Sequence, residues 1–573
     1  MKLRSRALLL AIAALVVDGA HAQISSPAMQ AYAQLQAMRG PASELLDAKR
    51  PSTPEETRAA LAELDRGLDL MDTPLTHDLA EGNVYLRYRR LDILREKAAL
   101  LERLGERRGA IAALDEASLM DATDLSKFTP ELATVLADPA AAPIRARYAA
   151  SARLFDASAF KTADGAPLTD AQRVAGLSRI WSVARHDFAW FEHVPELDWD
   201  RAYLDALPKV LAARDTLDYY RELMRFTALL RDGHSNAYPP ESLADRVYTR
   251  PGLRTGRVEG KVVVTAVVDA ALVKASVKPG DEVLAVDGVA VADYAARFVA
   301  PYQSASTPQD LELRTFKYML LAGDARKPVR VTLRDAQGHR RDVTAARSGW
   351  QAVPVPVPPG DSFELRPDGI AVLTATQFVN DGVSKLLEQH RDELMKAKGF
   401  ILDLRLNGGG DTSFGLAILS TLTTEPLPEM ASRVRADNGF ALARGHGTFW
   451  QRLPADEPQS LPGPKFASPV AVLIGPATFS AAEDTAATFK LMKRGLLVGT
   501  PSGGSTGQPL SFDLPGGGKA RICVKRDGYP DGSDFVGRGV QPDIVVAPTL
   551  ASVRDGSDPA LAKAVGALLA QVH

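Results

Sequence analysis

The chain has 573 residues, of which 46% are hydrophobic and 24% are charged, as in soluble globular proteins. Its 68 basic residues nearly balance its 70 acidic ones, and a net charge of −2 argues against a nucleic-acid-binding protein, which would carry a basic excess. The length favours several domains, and apolar residues that recur throughout exclude low-complexity disorder.

The first 22 residues have the pattern of a secretory signal peptide. Basic residues at positions 2, 4 and 6 precede an apolar run over 7–17, and an Ala-x-Ala cleavage pattern ends at Ala22. An N-terminal membrane anchor is the alternative, because signals and anchors differ mainly in the length of this run. We therefore expect an exported protein, periplasmic or secreted, without an integral membrane span after cleavage. Its single cysteine, Cys523, forms no intramolecular disulfide.

Two helical regions follow the predicted signal peptide. Residues 23–150 are expected to form a helical N-terminal domain, in which Thr53, Pro54 and Glu56 have the pattern of a capped helix start. Residues 151–250 continue as helices with many aromatic side chains. This second region ends in a polar break that contains His234.

Residues 251–348 have the pattern of a β-domain. Residues 262–264 form a β-branched run, and residues 329–333 alternate apolar with polar side chains. Between them, Pro279-Gly280 predicts a turn, residues 282–286 a strand, and Asp287-Gly288 a second turn. This stretch resembles a PDZ domain, a module that binds extended C-terminal peptides at a sheet edge. An unrelated small β-domain is the alternative.

Residues 349–550 alternate strands with helices, which predicts a layered α/β domain. The expected strands are 369–373, 400–406, 470–474 and 496–498, and the expected helices are 382–397 and 480–494. Residues 551–573 are expected to form a C-terminal helix. The fold class is therefore multidomain α/β, with a helical N-terminal region.

Several chemistries are excluded by their missing motifs. The chain has no phosphate-binding glycine-lysine loop and no His-Glu-x-x-His, so we expect neither a cofactor nor a metal. Residues 503–507 match the Gly-x-Ser-x-Gly elbow of α/β-hydrolases around Ser505. That elbow requires a following helix and a later histidine, whereas a predicted strand follows here and only the terminal His573 comes later. Ser505 is therefore not predicted to be an elbow nucleophile.

Ser480 lies at a strand-to-helix junction, where free backbone N–H groups favour developing negative charge. A nucleophile is one interpretation of this position. The other is a helix cap, because Ser480 and Glu483 have the spacing of a capping box.

Three motifs in this region resemble, in combination, the tricorn-core and C-terminal-processing (tail-specific) serine peptidase family. They are Asp403-Leu404-Arg405-x-Asn407-Gly408-Gly409-Gly410, Thr478-x-Ser480-Ala481-Ala482-Glu483 and Val498-Gly499-x-Pro501-Ser502-x-Gly504. The resemblance implies a ClpP/crotonase-like α/β peptidase domain with an inserted PDZ domain. It also implies that Ser480 is the nucleophile and that Gly408, Gly409 and Ala481 form the oxyanion hole.

The family activates its serine in two ways. The processing proteases use a lysine, and that position is Ser505 here, 25 residues after Ser480. The tricorn-like branch uses a histidine before the PDZ domain and a later acid, which implies His234 as base and Asp534 as acid. Asp531 is the rival acid, and Ser235 is a possible relay between His234 and Asp534.

Two function classes remain. The first is an exported serine endopeptidase that cleaves peptides or unfolded proteins, with the PDZ-like domain holding the substrate. The second is a catalytically inert protein that binds peptides or other ligands on the same fold. Retention of Ser480, His234 and an acid together favours the peptidase, because a binding protein does not need all three.

Overall fold

The structure is a computed structural model that describes residues 27–47, 52–81, 83–123, 129–155, 158–348, 360–437, 439–453 and 461–571. The predicted signal peptide lies outside the described residues. The chain divides into two compact units, Met1–Asp156 and Ala157–His573. Within the described ranges, no helix has the length and apolar character needed to cross a membrane.

The first unit is helical, as expected. Thr53 Oγ1 accepts a hydrogen bond from the backbone N–H of Glu56, and the Glu56 carboxylate accepts one from the Thr53 N–H, which confirms the capping box. Apolar side chains at helical spacing, such as Leu61 and Leu64, are buried in the core of this unit. Its α-helices are Pro27–Asp47, Pro54–Met71, Pro74–Glu81, Val84–Arg103, Arg107–Met120, Pro130–Ala137 and Ala142–Phe155.

The second unit begins with three helices whose buried aromatic side chains belong to its core. Trp199 stacks on Phe226 with 4.2 Å between ring centroids, which fixes the last two of these helices against each other. The next strand, Asn236–Tyr238, pairs antiparallel with Lys519–Cys523, which also pairs with Pro509–Asp513. This pairing brings the loop that contains His234 beside a segment almost 300 residues later. The helices are Asp170–Asp187, Trp199–Leu211 and Thr216–Ala228.

The region from residue 251 to 348 contains an antiparallel sheet with its own apolar core. Its strands, in spatial order, are Leu253–Val258, Lys261–Val267, Glu282–Val286, Val329–Arg334 and Arg340–Ala345, and Val289–Ala290 pairs with the middle strand. The strands expected around residues 262–264, 282–286 and 329–333 are thus confirmed. Between the strands lie the helices Ala270–Lys274, Val291–Tyr294 and Pro308–Glu312 and the π-helical turns Ala295–Val299 and Leu313–Met319.

The α/β region is built on a six-stranded sheet with five parallel strands and one antiparallel edge strand. Helices cover both faces, since the apolar side chains of its strands alternate between two separate cores. In spatial order the strands are Ile544–Val545, Leu496–Gly499, Val470–Ile474, Gly399–Asp403, Ile370–Thr374 and Ser362–Leu365. Its helices are Gly382–Gln389, Arg391–Lys396, Thr412–Ser420, Ala481–Met492, Leu550–Asp555 and Pro559–Leu569. A smaller antiparallel sheet contains Trp450–Arg452, Ala431–Arg435 and Lys525–Gly528.

Three expected elements are shorter or divided. The helix expected over 382–397 is interrupted at His390, which leaves helical geometry (φ −106°, ψ 16°). The strand expected to reach residue 406 ends at Asp403, because the Asp403 carboxylate accepts the N–H of Arg405 in a turn. The expected C-terminal helix is two helices, separated at Gly556 in a left-handed conformation (φ +74°).

Candidate active site

Two loops meet at the carboxyl ends of adjacent parallel strands, where open α/β sheets usually place their sites. One loop, residues 404–410, follows the strand Gly399–Asp403, and the other, residues 475–480, follows Val470–Ile474. Thr478 Oγ1 donates to the carbonyl of Leu404 (2.8 Å), and the Phe479 N–H donates to the carbonyl of Asn407 (3.0 Å). These bonds hold Ser480 beside the glycine loop.

Arg405 fixes the start of the glycine loop, residues 404–410, through two carboxylates. Its guanidinium forms two hydrogen bonds to the Asp403 carboxylate, at 2.9 and 2.6 Å, and two to that of Asp558, at 2.9 and 2.8 Å. Bidentate arginine–carboxylate pairs are geometrically specific. The Asp-Leu-Arg motif is therefore a structural support that joins the end of the strand Gly399–Asp403 to the start of the last helix.

Ser480 does not cap the helix that follows it. Its hydroxyl makes no capping hydrogen bond, and its backbone has φ 56° and ψ −129°, a region that non-glycine residues rarely occupy. Ser480 Oγ instead lies 3.1 Å from Nε2 of His234. Strained backbone of this kind recurs where a side chain must be presented to a substrate. The capping-box interpretation of Ser480 is therefore wrong.

The His234 ring is held on both nitrogens and on one face. Nε2 faces Ser480, Nδ1 lies 2.7 Å from Oγ of Ser505, and the ring stacks on Phe479 with 4.8 Å between centroids. Burial lowers the pKa of His234 well below its usual value, and the positive charges of Arg521 and Arg314 lower it further. His234 is thus neutral at pH 7 and able to accept a proton.

The tautomer follows from the required proton transfer. For Nε2 to accept the Ser480 proton, Nδ1 must carry the ring hydrogen, and the Ser505 hydroxyl then accepts that hydrogen. Ser505 itself is fixed through its backbone, because its N–H donates to Oε2 of Glu483 at 2.8 Å. Ser505 thus occupies the place beside the histidine that a carboxylate fills in a Ser-His-Asp triad.

Glu483 holds the loop that carries Ser505. Its buried carboxyl group accepts hydrogen bonds from the Ser502 hydroxyl and from the N–H groups of Gly504 and Ser505. Burial raises the pKa of Glu483 to about 8, although these hydrogen bonds act in the opposite direction. The side chain is therefore an anchor inside the protein rather than a group that contacts the substrate.

Two backbone N–H groups are available to an oxyanion beside Ser480. Gly408 lines the cleft, and Ala481 is the first residue of its helix. Within the described part of the chain, neither of their N–H groups donates a hydrogen bond. Gly409, the third expected donor, differs because its N–H donates to Asn407 Oδ1 at 2.9 Å. Position 409 instead requires a glycine (φ +98°), because the backbone there packs closely against Ser480. A Cβ at this position would lie 2.6 Å from Cβ of Ser480.

The expected acid is not brought to His234. Asp534 accepts a hydrogen bond from Arg526 Nη2 (2.8 Å), and both His234 ring nitrogens already face Ser480 and Ser505. The rival acid, Asp531, is occupied within its own turn by the N–H and hydroxyl of Ser533. The expectation that either carboxylate orients His234 is therefore wrong.

Ser235 is not the expected relay either. Its hydroxyl donates to Asp232 Oδ2 (2.6 Å) and accepts the Cys523 N–H (3.1 Å). These contacts tie the loop of His234 to the neighbouring strand, so Ser235 is structural. No cluster of three or more potential metal ligands occurs among the residues that the structure describes.

We predict that Ser505 matters more to catalysis than Asp534. Ser505→Ala leaves the buried Nδ1–H of His234 without an acceptor, which should lower kcat/KM about 10-fold, the effect of one lost hydrogen bond. Asp534→Asn should stay within about twofold of the unchanged chain. Steady-state kinetics on one peptide, with melting temperatures as folding control, measure both. A large loss in Asp534→Asn beside an unaffected Ser505→Ala would contradict this assignment.

The cleft at Ser480 has a volume of about 470 Å³ and is lined by residues from both loops, from His234 and from the π-helical turn Leu313–Met319. A larger cavity of about 1190 Å³ lies against the helices Trp199–Leu211 and Thr216–Ala228. We place the chemistry in the smaller cleft, because the larger cavity is lined by neither Ser480 nor His234.

Comparison with known proteins finds similar peptidases. Residues 369–546 match the model of peptidase family S41. The chain is 24% identical over 387 residues to the chloroplastic C-terminal processing peptidase of Tetradesmus obliquus, covering 61% of this chain and 75% of that one. It is 28% identical over 169 residues to the carboxy-terminal-processing protease of Bartonella bacilliformis, covering 29% and 35%.

A solved structure shares the fold. The crystal structure of mature CPAF superposes with a TM-score of 0.52 at 16% identity and covers 70% of this chain and 98% of that one. The α/β peptidase fold expected from the motifs is thereby confirmed. The matched residues 369–546 contain Ser480 and the glycine loop. The chain is a serine-type peptidase, and it is similar to the C-terminal processing, or tail-specific, proteases.

Proposed function

We propose that the chain is an exported endopeptidase in which Ser480 is the nucleophile and His234 the general base. One observation carries this proposal: Oγ of Ser480 lies 3.1 Å from Nε2 of a buried, neutral histidine. Residues 1–22 act as the signal peptide and are removed after Ala22.

The proposed reaction has two acyl-transfer steps. Ser480 Oγ attacks the peptide carbonyl carbon while its proton passes to Nε2 of His234, and the oxyanion accepts hydrogen bonds from the N–H groups of Gly408 and Ala481. His234 then protonates the leaving amine, which gives an acyl-enzyme. Water, deprotonated by the same nitrogen, hydrolyses the ester and releases Ser480.

Substrate capture is assigned to the β-domain of residues 251–348, which we propose is PDZ-like. The outermost strands in the main order of its sheet are Leu253–Val258 and Arg340–Ala345, and an extended peptide binds such a module by adding a strand to a sheet edge. The remaining proposed domains are 23–150, 151–250 and 349–550, with a helical tail over 551–573.

The pH dependence of peptide hydrolysis tests the proposed base. Only neutral His234 accepts the serine proton, so kcat/KM should rise with pH as His234 loses its proton and then level off. Because burial and two arginines lower the pKa of His234, the midpoint should lie below 6.5, and activity should already be maximal at pH 7.

The measurement is kcat/KM for an internally quenched peptide between pH 4 and 9, together with a fluorescence check of folding at each pH. A rise centred at 6.5 or above would contradict His234 as the base. Full-length folded protein that cleaves no peptide or unfolded protein at any pH would favour the inert binding protein instead.

A further inference from the structure

Phe479, the residue before Ser480, lies flat against the imidazole of His234. The two ring planes are 15° apart, and their centroids are separated by 4.8 Å. The contacts of His234 with Ser480 and Ser505 are made at the edge of the ring, through Nε2 and Nδ1. Two edge contacts leave a ring able to tilt about the line between them. The contact with Phe479 on the face of the imidazole removes this freedom.

Two glycines leave room for the Phe479 ring. A Cβ at Gly233, the residue before His234, would lie 2.8 Å from Cζ and 3.0 Å from Cε2 of Phe479. A Cβ at Gly503 would lie 2.8 Å from Cδ2 of the same ring. Neither glycine has a positive φ, so the backbone conformation at both positions is open to other residues. The space that the ring occupies therefore accounts for glycine at both positions.

Phe479 connects the three segments that carry the proposed machinery. Its backbone continues into Ser480, and its N–H donates to a carbonyl oxygen of the glycine loop at 3.0 Å. Gly233 belongs to the loop of His234, and Gly503 belongs to the loop that carries the hydrogen-bonding partner of this histidine. A displaced ring would therefore change how the imidazole faces the serine hydroxyl.

We propose that Phe479 is a positioning residue of the peptidase: its ring fixes the plane of the His234 imidazole, so that Nε2 faces Ser480 Oγ. Gly233 and Gly503 provide the space that this ring requires. The inference rests on the proposed function, in which His234 is the base. Because Phe479 exchanges no proton, its loss should slow the chemical step more than it weakens substrate binding.

Kinetics of Phe479→Leu test this role. Leucine keeps an apolar side chain but has no ring that could stack on His234. We expect kcat for an internally quenched peptide to fall about 10-fold, the effect of one lost aromatic stacking contact, while KM stays within about threefold. The rate at which a serine-reactive phosphonate labels Ser480 should fall by a similar factor, because this small probe depends little on peptide binding.

Phe440→Leu is the matched control, because Phe440 is exposed and lines neither the cleft nor the larger cavity. It should leave kcat, KM and the labelling rate unchanged. A normal kcat in folded Phe479→Leu, or a change confined to KM, would overturn the positioning role.

Alanine at the two glycines tests whether they serve the ring. Gly233→Ala should lower kcat about 10-fold, because its Cβ displaces the ring. In the Phe479→Leu background the same change should cost less than about threefold, since leucine lacks Cζ and Cε2 and the next nearest atom, Oδ2 of Asp310, lies at 3.1 Å. Gly503→Ala should lower kcat in both backgrounds, because its Cβ meets a position that a leucine methyl group also fills.

Gly566→Ala is the matched control for these variants, because in the described part of the chain no atom lies within 4 Å of a Cβ at this position. It should hydrolyse the peptide at the unchanged rate. Melting temperatures and circular dichroism confirm that each protein is folded. Strictly additive losses of kcat for Gly233→Ala and Phe479→Leu would overturn the inference. If Gly233→Ala does not fold, the kcat of Phe479→Leu decides alone.

His234→Ala separates this inference from the proposed function. An inactive His234→Ala beside a normal kcat in Phe479→Leu keeps the base and overturns the positioning role. An active His234→Ala contradicts the proposed function and the positioning role together. A double-mutant cycle of Gly233→Ala and Phe479→Leu, measured on melting temperature, would still show in that case whether the glycine makes room for the ring.

Discussion

Ser480→Ala should reduce peptide hydrolysis by about 10⁴-fold or more, because the variant lacks the atom that forms the acyl-enzyme. The fold should persist. The Ser480 hydroxyl makes no capping bond, so its removal costs the helix Ala481–Met492 little. The measurement is kcat/KM on a quenched peptide, with the melting temperature recorded for each protein.

Ser557→Ala is the matched control for this variant, because Ser557 is exposed in a turn near the C-terminus, remote in sequence from both catalytic loops. It should hydrolyse the peptide at the unchanged rate. Folded Ser480→Ala with more than a few per cent of normal activity would show that another group is the nucleophile.

His234→Ala should lower kcat/KM by a similar factor, on the order of 10⁴, since His234 is the one base in hydrogen-bond contact with Ser480 Oγ among the residues that the structure describes. The competing mechanism is that of the processing proteases, in which a lysine is the base. Lys490 donates to the carbonyl of Gln541 at 2.7 Å, and neither Lys490 nor Lys519 lines the cleft. Lys490→Ala and Lys519→Ala should therefore remain within about twofold of normal activity.

Kinetics of the three variants, with circular dichroism to confirm folding, distinguish the mechanisms. An inactive lysine variant beside an active His234→Ala would establish a lysine base and contradict the role of His234.

The two loops of the candidate site could be predicted because their sequence signals are local. The strand over 470–474 is an unbroken β-branched and apolar run, and Thr478-x-Ser480 follows it directly. The contact between His234 and Ser480 joins residues 246 positions apart, and only motif order suggested it. Antiparallel pairing of Asn236 with Arg521 places the loop of His234 against the α/β region that also contains Ser480.

The partner of His234 was not predictable in the same way. Asp534 lies where the family motif expects an acid, but Arg526, eight positions earlier, takes its carboxylate. Ser505 belongs to a glycine-rich loop without periodicity, and its hydroxyl has no basicity that would draw attention to it. A signal was nevertheless present, because Ser505 occupies the position where the processing proteases place the group that activates their serine.

Covalent labelling tests the central claim, that His234 activates Ser480 as a nucleophile, most directly. Folded full-length protein would be treated with a serine-reactive phosphonate, and the adduct would be located by peptide mass spectrometry. We expect one adduct, on Ser480, which is absent in Ser480→Ala and forms much more slowly in His234→Ala. No adduct on the folded protein, or an adduct on Ser505 instead, would contradict the account.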